Sequence, residues 1–393
     1  MSIIIFDDSA RNSLFPLTFT RPVGDLRVGI LTIAQKWEKC LNASASFLTE
    51  SYLQEKFTYQ TSANNIFING SICPNPALLE AIDKLNDAEL LIKDGIIIAV
   101  KLKQADCASF SLTEPKFKTV EFKHDFTRVV YPEDIFRLND AEIRSDFKLL
   151  TAARTSSKLS STNTILGEDI FIEEGAVAEC SIFNTKEGPI YLGKNSEVWE
   201  GSTIRGSFAL GENSQVKMGS KIYGKTTIGP YCRVGGEINN SVIHSYSSKG
   251  HEGFLGNAVL GEWCNIGADS NNSNLKNNYS EVKIWDYNTK NFRRTGLQFC
   301  GLIMADHSKC GINTMFNTGT VVGVSANVFG SGYPRNFIPD FAWGGAQGFD
   351  LYTLNKAFET ADKVFERRNR VFEDIDKKIL TRVFELTQSY RNF

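Results

Sequence analysis

The sequence has little excess charge and no long apolar run. Its 393 residues contain 43 Lys and Arg against 45 Asp and Glu, which leaves a net charge of −2. Nucleic acids and anionic membrane surfaces attract proteins through an excess of basic residues, so neither is expected as a partner. No apolar stretch is long enough to cross a bilayer.

Paired cysteines and a targeting segment are also missing. The eight cysteines stand singly, and no CxxC pair occurs, which disfavours a zinc ribbon or a redox motif. The first residues, MSIIIFDDSARN, lack the basic start and the small-residue cleavage site of a signal peptide. We therefore expect a cytoplasmic protein with no bound metal.

A six-residue repeat fixes the architecture of the middle of the chain. With 42% of the residues hydrophobic, eight aliphatic residues at this spacing would occur by chance roughly once in a thousand for one chosen phase. Neither an α-helix nor a flat sheet repeats its buried side chain every six residues, whereas a β-helix does. The run comprises Leu192, Val198, Ile204, Leu210, Val216, Ile222, Ile228 and Val234.

Shorter runs extend the repeat in other phases. The changes of phase predict loops that leave the prism at 183–190, 238–252 and 270–301. We predict a left-handed parallel β-helix of about ten coils over 160–335, within a domain at 160–345, and a homotrimer as its assembly. The additional runs are Leu166, Ile172 and Ala178; Phe254, Leu260 and Ile266; and Met304, Cys310, Phe316, Val322 and Val328.

The flanking segments have different patterns. Short apolar strands at Ser2–Phe6, Ser46–Leu48 and Asn65–Ile68 alternate with helical spacing at Asp25–Leu41 and Pro76–Leu85. An Asp94–Gly95 pair inside an apolar run indicates a hairpin. We predict an α/β N-terminal domain at 1–155. At 346–393, apolar residues at helical spacing predict a C-terminal extension of two amphipathic helices.

One segment of the repeat region resembles a known family. Residues 248–266 read SKGHEGFLGNAVLGEWCNI, followed by GADSNNSN. This resembles the acyltransferase half of the bifunctional N-acetylglucosamine-1-phosphate uridylyltransferase/glucosamine-1-phosphate acetyltransferase family (GlmU), which carries K-x-G-H-x-x-Y-L-G-D-A, then V-N-I-G-A-G and N-Y-D. The whole chain is similar to the GlmU-like sugar nucleotidyltransferase group known from Bacteroidetes.

The resemblance implies an acyl-transfer site. His251 matches the family's general base, and imidazole is the side chain best suited to that role near neutral pH. The implied co-substrate is acetyl-CoA or another acyl-CoA, contacted by Arg335 and Ala305. The loop at 275–301 is expected to act as a substrate lid. The candidate substrate-binding residues are Arg233, Lys249, Phe254, Asn265, Asn274 and Arg294.

The N-terminal region resembles the other half of the same family, with a Rossmann-like fold implied. The strand Ile3–Phe6 precedes a loop that contains Arg11, Thr18 and Arg21, and the strand around IFINGS ends at Gly70. By this resemblance these four residues bind a nucleotide, with Mg²⁺ only if the domain is active. The phosphate-loop glycines are absent, and Ser71 stands where the family has its metal-binding Asp, so the domain is expected to be degenerate.

Three functions remain open at this point. The first is an acyl-CoA-dependent N-acyltransferase that acts on an amino-sugar phosphate or a nucleotide sugar. The second is a sugar-1-phosphate nucleotidyltransferase that uses UTP or dTTP. The third is a non-catalytic trimeric protein that binds a sugar nucleotide. The departures in the phosphate loop favour the first.

Overall fold

A computed structural model describes residues 2–110 and 117–393. The chain forms two compact units. The first contains residues 1–26 and 31–131, and the second contains residues 27–30 and 132–393. Among the described residues, none of the helices has both the length and the apolar composition that crossing a bilayer requires.

The N-terminal unit is built on a six-stranded mixed sheet with strand order β2-β1-β3-β5-β4-β6. Strands β1, β2 and β3 are parallel, β5 is antiparallel to both β3 and β4, and β6 is parallel to β4. The predicted α/β class and the hairpin at Asp94–Gly95 are confirmed. The strands are β1 (Ser2–Phe6), β2 (Ala45–Leu48), β3 (Asn64–Asn69), β4 (Glu89–Lys93), β5 (Ile96–Lys103) and β6 (Lys118–Glu121).

The described residues of this unit form three helices: α1 (Ala10–Ser13), α2 (Ile33–Leu41) and α3 (Pro76–Asp83). The helix predicted from Asp25 begins only at Ile33. A capping box fixes that start, because the Thr32 side chain accepts from the Gln35 backbone N–H and the Gln35 side chain accepts from that of Thr32. Short 3-10 turns occur at Val23–Asp25 and Gln104–Ser109.

The second unit is dominated by a left-handed parallel β-helix of about ten coils. Three walls alternate along the chain, here named A, B and C. Wall A contains β7 (Thr164–Leu166), β10 (Ile182–Asn184), β13 (Thr203–Arg205), β16 (Lys221–Ile222), β19 (Glu237–Asn239) and β22 (Phe254–Gly256), with β24 (Asn271–Asn272) and β29 (Met315–Phe316) as a separate pair.

Wall B has nine strands, and wall C is completed by an antiparallel pair at its end. Wall B contains β8 (Ile170–Ile172), β11 (Ile190–Leu192), β14 (Phe208–Leu210), β17 (Thr226–Ile228), β20 (Val242–Ile243), β23 (Val259–Leu260), β27 (Leu302–Met304), β30 (Thr320–Val322) and β32 (Phe337–Ile338). Wall C contains β9 (Val177–Ala178), β12 (Glu197–Val198), β15 (Gln215–Val216), β18 (Arg233–Val234), β21 (Ser248–Lys249), β28 (Lys309–Cys310), β31 (Asn327–Val328), β33 (Ala342–Gly345) and β34 (Gly348–Leu351).

The eight residues of the principal repeat all lie in the buried core of the prism. Each hexapeptide moves the chain to the next wall, so Leu192, Leu210 and Ile228 stack on wall B. This confirms the period predicted from the sequence. The last run, from Met304 to Val328, is buried in the same core.

Two predicted repeat positions are wrong by one residue. On wall A, Ile238 pairs with Leu255 rather than with Phe254, and Phe183 pairs with Ile165 rather than with Leu166. The prediction fails at Phe254 because the coil there is shorter than three full hexapeptides. A shift of one residue exchanges the inward and outward faces of a strand.

The predicted loop at 238–252 is also wrong, since this segment carries parts of β19, β20 and β21. The changes of phase there come from short turns and not from an excursion. The segment at 275–301 does leave the prism and contains an antiparallel hairpin, β25 (Lys283–Asp286) and β26 (Asn291–Arg294).

Helix α4 (Pro132–Thr151) contacts β17, β20 and β23 of wall B. Asn139 is fully buried, and its Nδ2 donates to the Lys225 carbonyl at 2.9 Å and to Thr227 Oγ1 at 3.1 Å. By its contacts the helix therefore belongs with the solenoid, whereas the domain predicted from sequence ran to residue 155.

The two predicted C-terminal helices are present as α5 (Leu354–Glu366) and α6 (Asp374–Leu386), followed by a 3-10 turn at Gln388–Tyr390. Helix α5 is fixed to the prism through Phe365, whose ring stacks on Trp263 with centroids 3.8 Å apart. Helix α6 contacts the end of the prism through Phe384, which packs edge-on against Phe341.

Candidate functional site

His251 lies on the turn between β21 of wall C and β22 of wall A. Its side chain is exposed and makes no hydrogen bond within the described residues. On the same turn Glu252 forms an ion pair of 3.6 Å with Lys221. The imidazole is thus accessible to a ligand, as a general base requires.

Lys249 occupies an inward position of the coil, where it pairs with Val234, and it is 1% exposed. Its Nζ donates to the carbonyl oxygens of Gly235 at 3.0 Å and His251 at 2.6 Å. Burial lowers the pKa of this ammonium to about 8. The side chain predicted to contact substrate therefore lies inside the prism, beneath the turn that carries His251.

Arg233 and Asn265 project from wall C and line one cavity of about 450 Å³. They are brought together by parallel pairing, because Arg233 is opposite Ser248, and Ser248 is opposite Asn265. The cavity also contains Lys309, the next residue in that series. Two of the predicted substrate-binding residues thus share one pocket.

Phe254 and Asn274 lie elsewhere. Phe254 is on wall A, where its backbone N–H donates to Asn271 Oδ1 at 2.7 Å. The Asn274 amide donates to Asn257 Oδ1 at 2.8 Å. Asn274 is therefore already engaged in a side-chain pair at the turn between walls A and B.

A larger cleft of about 770 Å³ lies between the β25–β26 hairpin, the end of the prism and the C-terminal residues. Arg335 lines it, together with the hairpin lysines Lys283 and Lys290. The Trp285 ring stacks on Phe337 with centroids 4.2 Å apart, and its buried Nε1–H has no acceptor among the described residues. The cleft combines positive charge and aromatic surface, which suits a ligand with a heterocycle and phosphates.

The two remaining predicted residues of this unit are outside the cleft. Arg294 is exposed on β26 and pairs with Glu281 at 3.4 Å. Ala305 is fully buried behind wall B, and its carbonyl oxygen accepts from Cys264 Sγ at 3.1 Å. Neither side chain lines the cavities that hold Arg233 or Arg335.

The N-terminal loop is closed by its own hydrogen bonds. Arg11 is 3% exposed, and its guanidinium donates to Asp7 Oδ2 and to the Arg21 carbonyl, both at 3.1 Å, and to Tyr52 Oη at 2.9 Å. Thr18 Oγ1 donates to the Arg11 carbonyl at 2.7 Å. These two predicted nucleotide-binding side chains are thus held by the protein itself.

Arg21 and Gly70 are similarly confined. Arg21 pairs with Asp25 at 3.0 Å and is 5% exposed. The Gly70 N–H donates to the Phe6 carbonyl at 2.8 Å, and a Cβ on Gly70 would approach the Gly24 nitrogen to 3.0 Å. Gly70 is therefore required by close packing of two backbone segments.

The residues of this loop do not fit a magnesium ion. Asp8 accepts from Arg128 at 2.6 Å and from Asn69 at 2.8 Å, and Ser71 Oγ donates to Asn69 Oδ1 at 2.7 Å. Burial raises the pKa of Asp7, which disfavours its charged form. Within residues 2–110 and 117–393, no group of three or more His, Cys, Asp or Glu side chains is arranged to hold a metal.

Sequence reasoning missed several residues of both cavities. Lys309, Arg367 and Arg368 line the wall C pocket, and Trp285 and Tyr390 line the cleft. The basic run at 367–370 was visible in the sequence, but no periodicity indicates which wall a C-terminal helix covers.

Comparison with known proteins supports the N-terminal part of the prediction. Residues 3–155 match the family model described as sugar nucleotidyl transferase, which confirms the resemblance predicted for this region. The match covers less than half of the chain. No curated protein matches the chain.

Solved structures with a resemblance to the chain include two UDP-N-acetylglucosamine acyltransferases and one hexapeptide transferase family protein. The Arabidopsis UDP-N-acetylglucosamine acyltransferase is 16% identical, with 59% of this chain and 91% of that chain covered and a TM-score of 0.22. A hexapeptide transferase family protein from Anaplasma phagocytophilum has 14% identity, coverages of 60% and 92%, and a TM-score of 0.18. The Campylobacter jejuni UDP-N-acetylglucosamine acyltransferase has 9% identity, coverages of 59% and 83%, and a TM-score of 0.21.

Proposed function

We propose that this protein is an acyl-CoA-dependent N-acyltransferase that modifies an amino-sugar phosphate or a nucleotide sugar, with His251 as the general base. The observation that carries the proposal is an exposed imidazole on a turn whose backbone is held by a buried lysine. The His251 ring is open to solvent, while the Lys249 ammonium holds the backbone of the same turn from inside the prism.

This arrangement suits proton abstraction from an amine. As the sugar nitrogen bonds to the thioester carbonyl carbon, His251 takes its proton, the C–S bond breaks, and the leaving coenzyme A thiolate receives that proton from the His251 imidazolium. Because the turn backbone is tied to Lys249, the ring is carried on a fixed support, which reduces the cost of orienting it.

We further propose that the acyl-CoA binds in the cleft beside the hairpin. Arg335, Lys283 and Lys290 supply positive charge for the phosphates of the coenzyme. In this proposal the hairpin at 283–294 is the lid expected from the sequence.

We also propose that the protein assembles as a homotrimer. Met218 and Ile312 lie on the turns between walls C and A, in the same column as His251, and they are 64% and 71% exposed. Exposed apolar side chains beside a ligand-binding residue favour coverage by a second copy of the chain. Sedimentation equilibrium on the purified protein tests this state.

Nucleotidyl transfer is the second candidate, because the sugar nucleotidyl transferase family model matches residues 3–155. The closed loop argues against it, since Arg11 and Arg21 already have carboxylate partners and the metal position is Ser71. A triphosphate would have to displace these internal contacts.

Two parallel assays separate the candidates. The purified protein is given acetyl-CoA with a panel of amino-sugar phosphates and nucleotide sugars, and release of free thiol is followed. In parallel, UTP or dTTP is given with sugar 1-phosphates and Mg²⁺, and pyrophosphate is followed. Thiol release that depends on the amine supports the proposal. Pyrophosphate release alone, or no binding of coenzyme A at millimolar concentration, overturns it.

A further inference from the structure

The wall C pocket lies where the end of helix α5 faces strands β18, β21 and β28. It does not include His251, and none of its lining residues belongs to the cleft beside the hairpin. Its volume of about 450 Å³ is sufficient for a small ligand.

Four cations line this pocket: Arg233, Lys309, Arg367 and Arg368. In the part of the chain that the structure describes, none of them forms an ion pair with a carboxylate. Among the residues that the structure describes, Lys309 Nζ donates only to the carbonyl oxygen of His307, at 2.9 Å. The positive charge of the pocket is therefore not neutralised within the described chain.

The cations also repel one another. The pKa of Arg368 is lowered, chiefly by burial and next by the charge of Arg233. Arg233 acts in the same direction on Lys217, again after burial. Bringing like charges together in a partly buried place costs free energy, and a bound anion would offset that cost.

The helix dipole accounts for part of this cluster only. Arg367 and Arg368 follow the C-terminus of α5, where basic residues stabilise a helix. Arg233 and Lys309 come from the solenoid wall instead, and they belong to one outward series through Ser248 and Asn265. Two independent elements thus direct cations at the same space.

Neutral donors complete the pocket. The Ser248 hydroxyl and the Asn265 amide line it, and neither makes a side-chain hydrogen bond within residues 2–110 and 117–393. A hydroxyl and an amide both donate to phosphate oxygens, and the amide can also bind a sugar hydroxyl. The lining therefore offers both charge and unused hydrogen-bonding capacity.

The aromatic residues of the pocket act as a rigid frame. The Trp263 ring is stacked between Tyr246, at 4.3 Å, and Phe365, at 3.8 Å. Both faces of Trp263 are thus occupied, and it has no free face on which a heterocycle could stack. Recognition in this pocket must come from charge and hydrogen bonds.

We propose that this pocket binds a small molecule through a phosphate group held by Arg233, Lys309, Arg367 and Arg368. The proposal does not depend on acyl transfer, because the pocket lacks the base and its test is binding alone. The phosphate could belong to free phosphate, to a sugar phosphate or to a nucleotide.

Isothermal titration calorimetry on the full-length protein tests the site with three probes: inorganic phosphate, a hexosamine 1-phosphate and ADP. We expect binding of at least one probe, and the tightest identifies the source of the phosphate group. Arg368→Gln and Arg233→Gln should each weaken it at least about tenfold, because each removes a charge-assisted contact. Lys363→Gln is the matched control, since Lys363 lies on α5 but pairs with Glu366.

Thermal denaturation without ligand adds an independent readout. Arg368→Gln should keep or raise the melting temperature, because it relieves repulsion with Arg233, and the rise in melting temperature that phosphate gives the wild type should be lost. Absence of binding of all three probes to the folded wild type would overturn the proposal. So would equal weakening by Lys363→Gln, which would indicate a general effect of surface charge.

Discussion

The Nζ of Lys249 donates a 2.6 Å hydrogen bond to the carbonyl oxygen of His251, from inside the solenoid. In the coil before it, the same inward position is taken by Val234. A buried ammonium costs free energy unless it is hydrogen-bonded, and here two carbonyl oxygens accept from it. These hydrogen bonds fix the backbone of the turn that carries the proposed base, which is where a fixed backbone is useful.

Replacement of the proposed base should strongly lower turnover without loss of stability. His251→Ala should lower kcat for amine acylation by about 10² to 10⁴, the usual contribution of a general base. The melting temperature should stay within about 1 °C, because the ring is exposed and makes no hydrogen bond in the described chain. His124→Ala, at another exposed position, is the control. Unchanged kcat would remove His251 from the mechanism.

Lys249→Met tests whether the buried ammonium positions the turn. We expect kcat to fall by about tenfold with KM little changed, while the free energy of unfolding at pH 7 stays equal or rises by roughly 1 kcal/mol as a buried charge is removed. An unchanged kcat, whatever the change in stability, would make Lys249 a purely structural residue.

The pH dependence of stability gives a second check on Lys249. Its pKa is lowered to about 8, from 10.5 in the unfolded chain. Between these values the folded state releases a proton that the unfolded state keeps. Wild-type stability should therefore rise with pH in this window, relative to Lys249→Met.

Asp340 should govern stability in the acidic range. It is fully buried, accepts from the Val324 N–H at 2.7 Å and from Tyr287 Oη at 2.9 Å, and has Arg391 nearby. Burial raises its pKa to about 6. The folded state therefore keeps a proton that the unfolded state loses between about pH 4 and 6.

Stability should consequently fall across that window as the pH rises, by up to about 3 kcal/mol. Asp340→Asn should remove this component, and denaturant unfolding at pH 4, 5, 6 and 7 measures the difference between the two proteins. If both proteins show the same slope, Asp340 titrates normally in the folded state.

Trp263→Ala should detach helix α5 from the prism. Trp263 is 8% exposed and stacks on Phe365, and loss of a buried tryptophan costs about 3 kcal/mol or more. Amide hydrogen exchange should accelerate in 354–366. Tyr333→Ala, at a 55% exposed site, should change stability by less than about 0.5 kcal/mol. Unchanged exchange in the helix would show that other contacts hold it.

Arg11→Met discriminates between a structural and a nucleotide-binding arginine. Removal of one partner of the buried Arg11–Asp7 pair should destabilise the N-terminal unit by about 3 kcal/mol. Lys39→Met, at an exposed position, should have little effect. Intact stability together with lost UTP binding would instead favour nucleotidyl transfer.

The class and period of the fold could be predicted from the sequence because they depend on local spacing. Leu192, Val198 and Ile204 are six residues apart on successive walls, and no other regular structure buries side chains at that interval. The prediction failed at Phe254, where the coil is shortened and Leu255 points inward. A prediction that assumes a constant period of six residues cannot detect a shortened coil.

The candidate site depended on more than spacing. The sequence predicted a histidine, His251, on a turn of the repeat region. It also grouped Lys249 with the substrate contacts, because Lys249 and His251 belong to one motif. Only the register of β21 decides that Lys249 points inward while Ser248 points outward.

The chain by itself thus determined the solenoid and the α/β character of the N-terminal unit, since both follow from periodicities of adjacent residues. The tertiary structure alone decided which charges meet. Arg233 and Arg368 are far apart in sequence and share one pocket, because the end of helix α5 faces wall C. Contacts of that kind depend on how separate elements pack, and no local pattern encodes them.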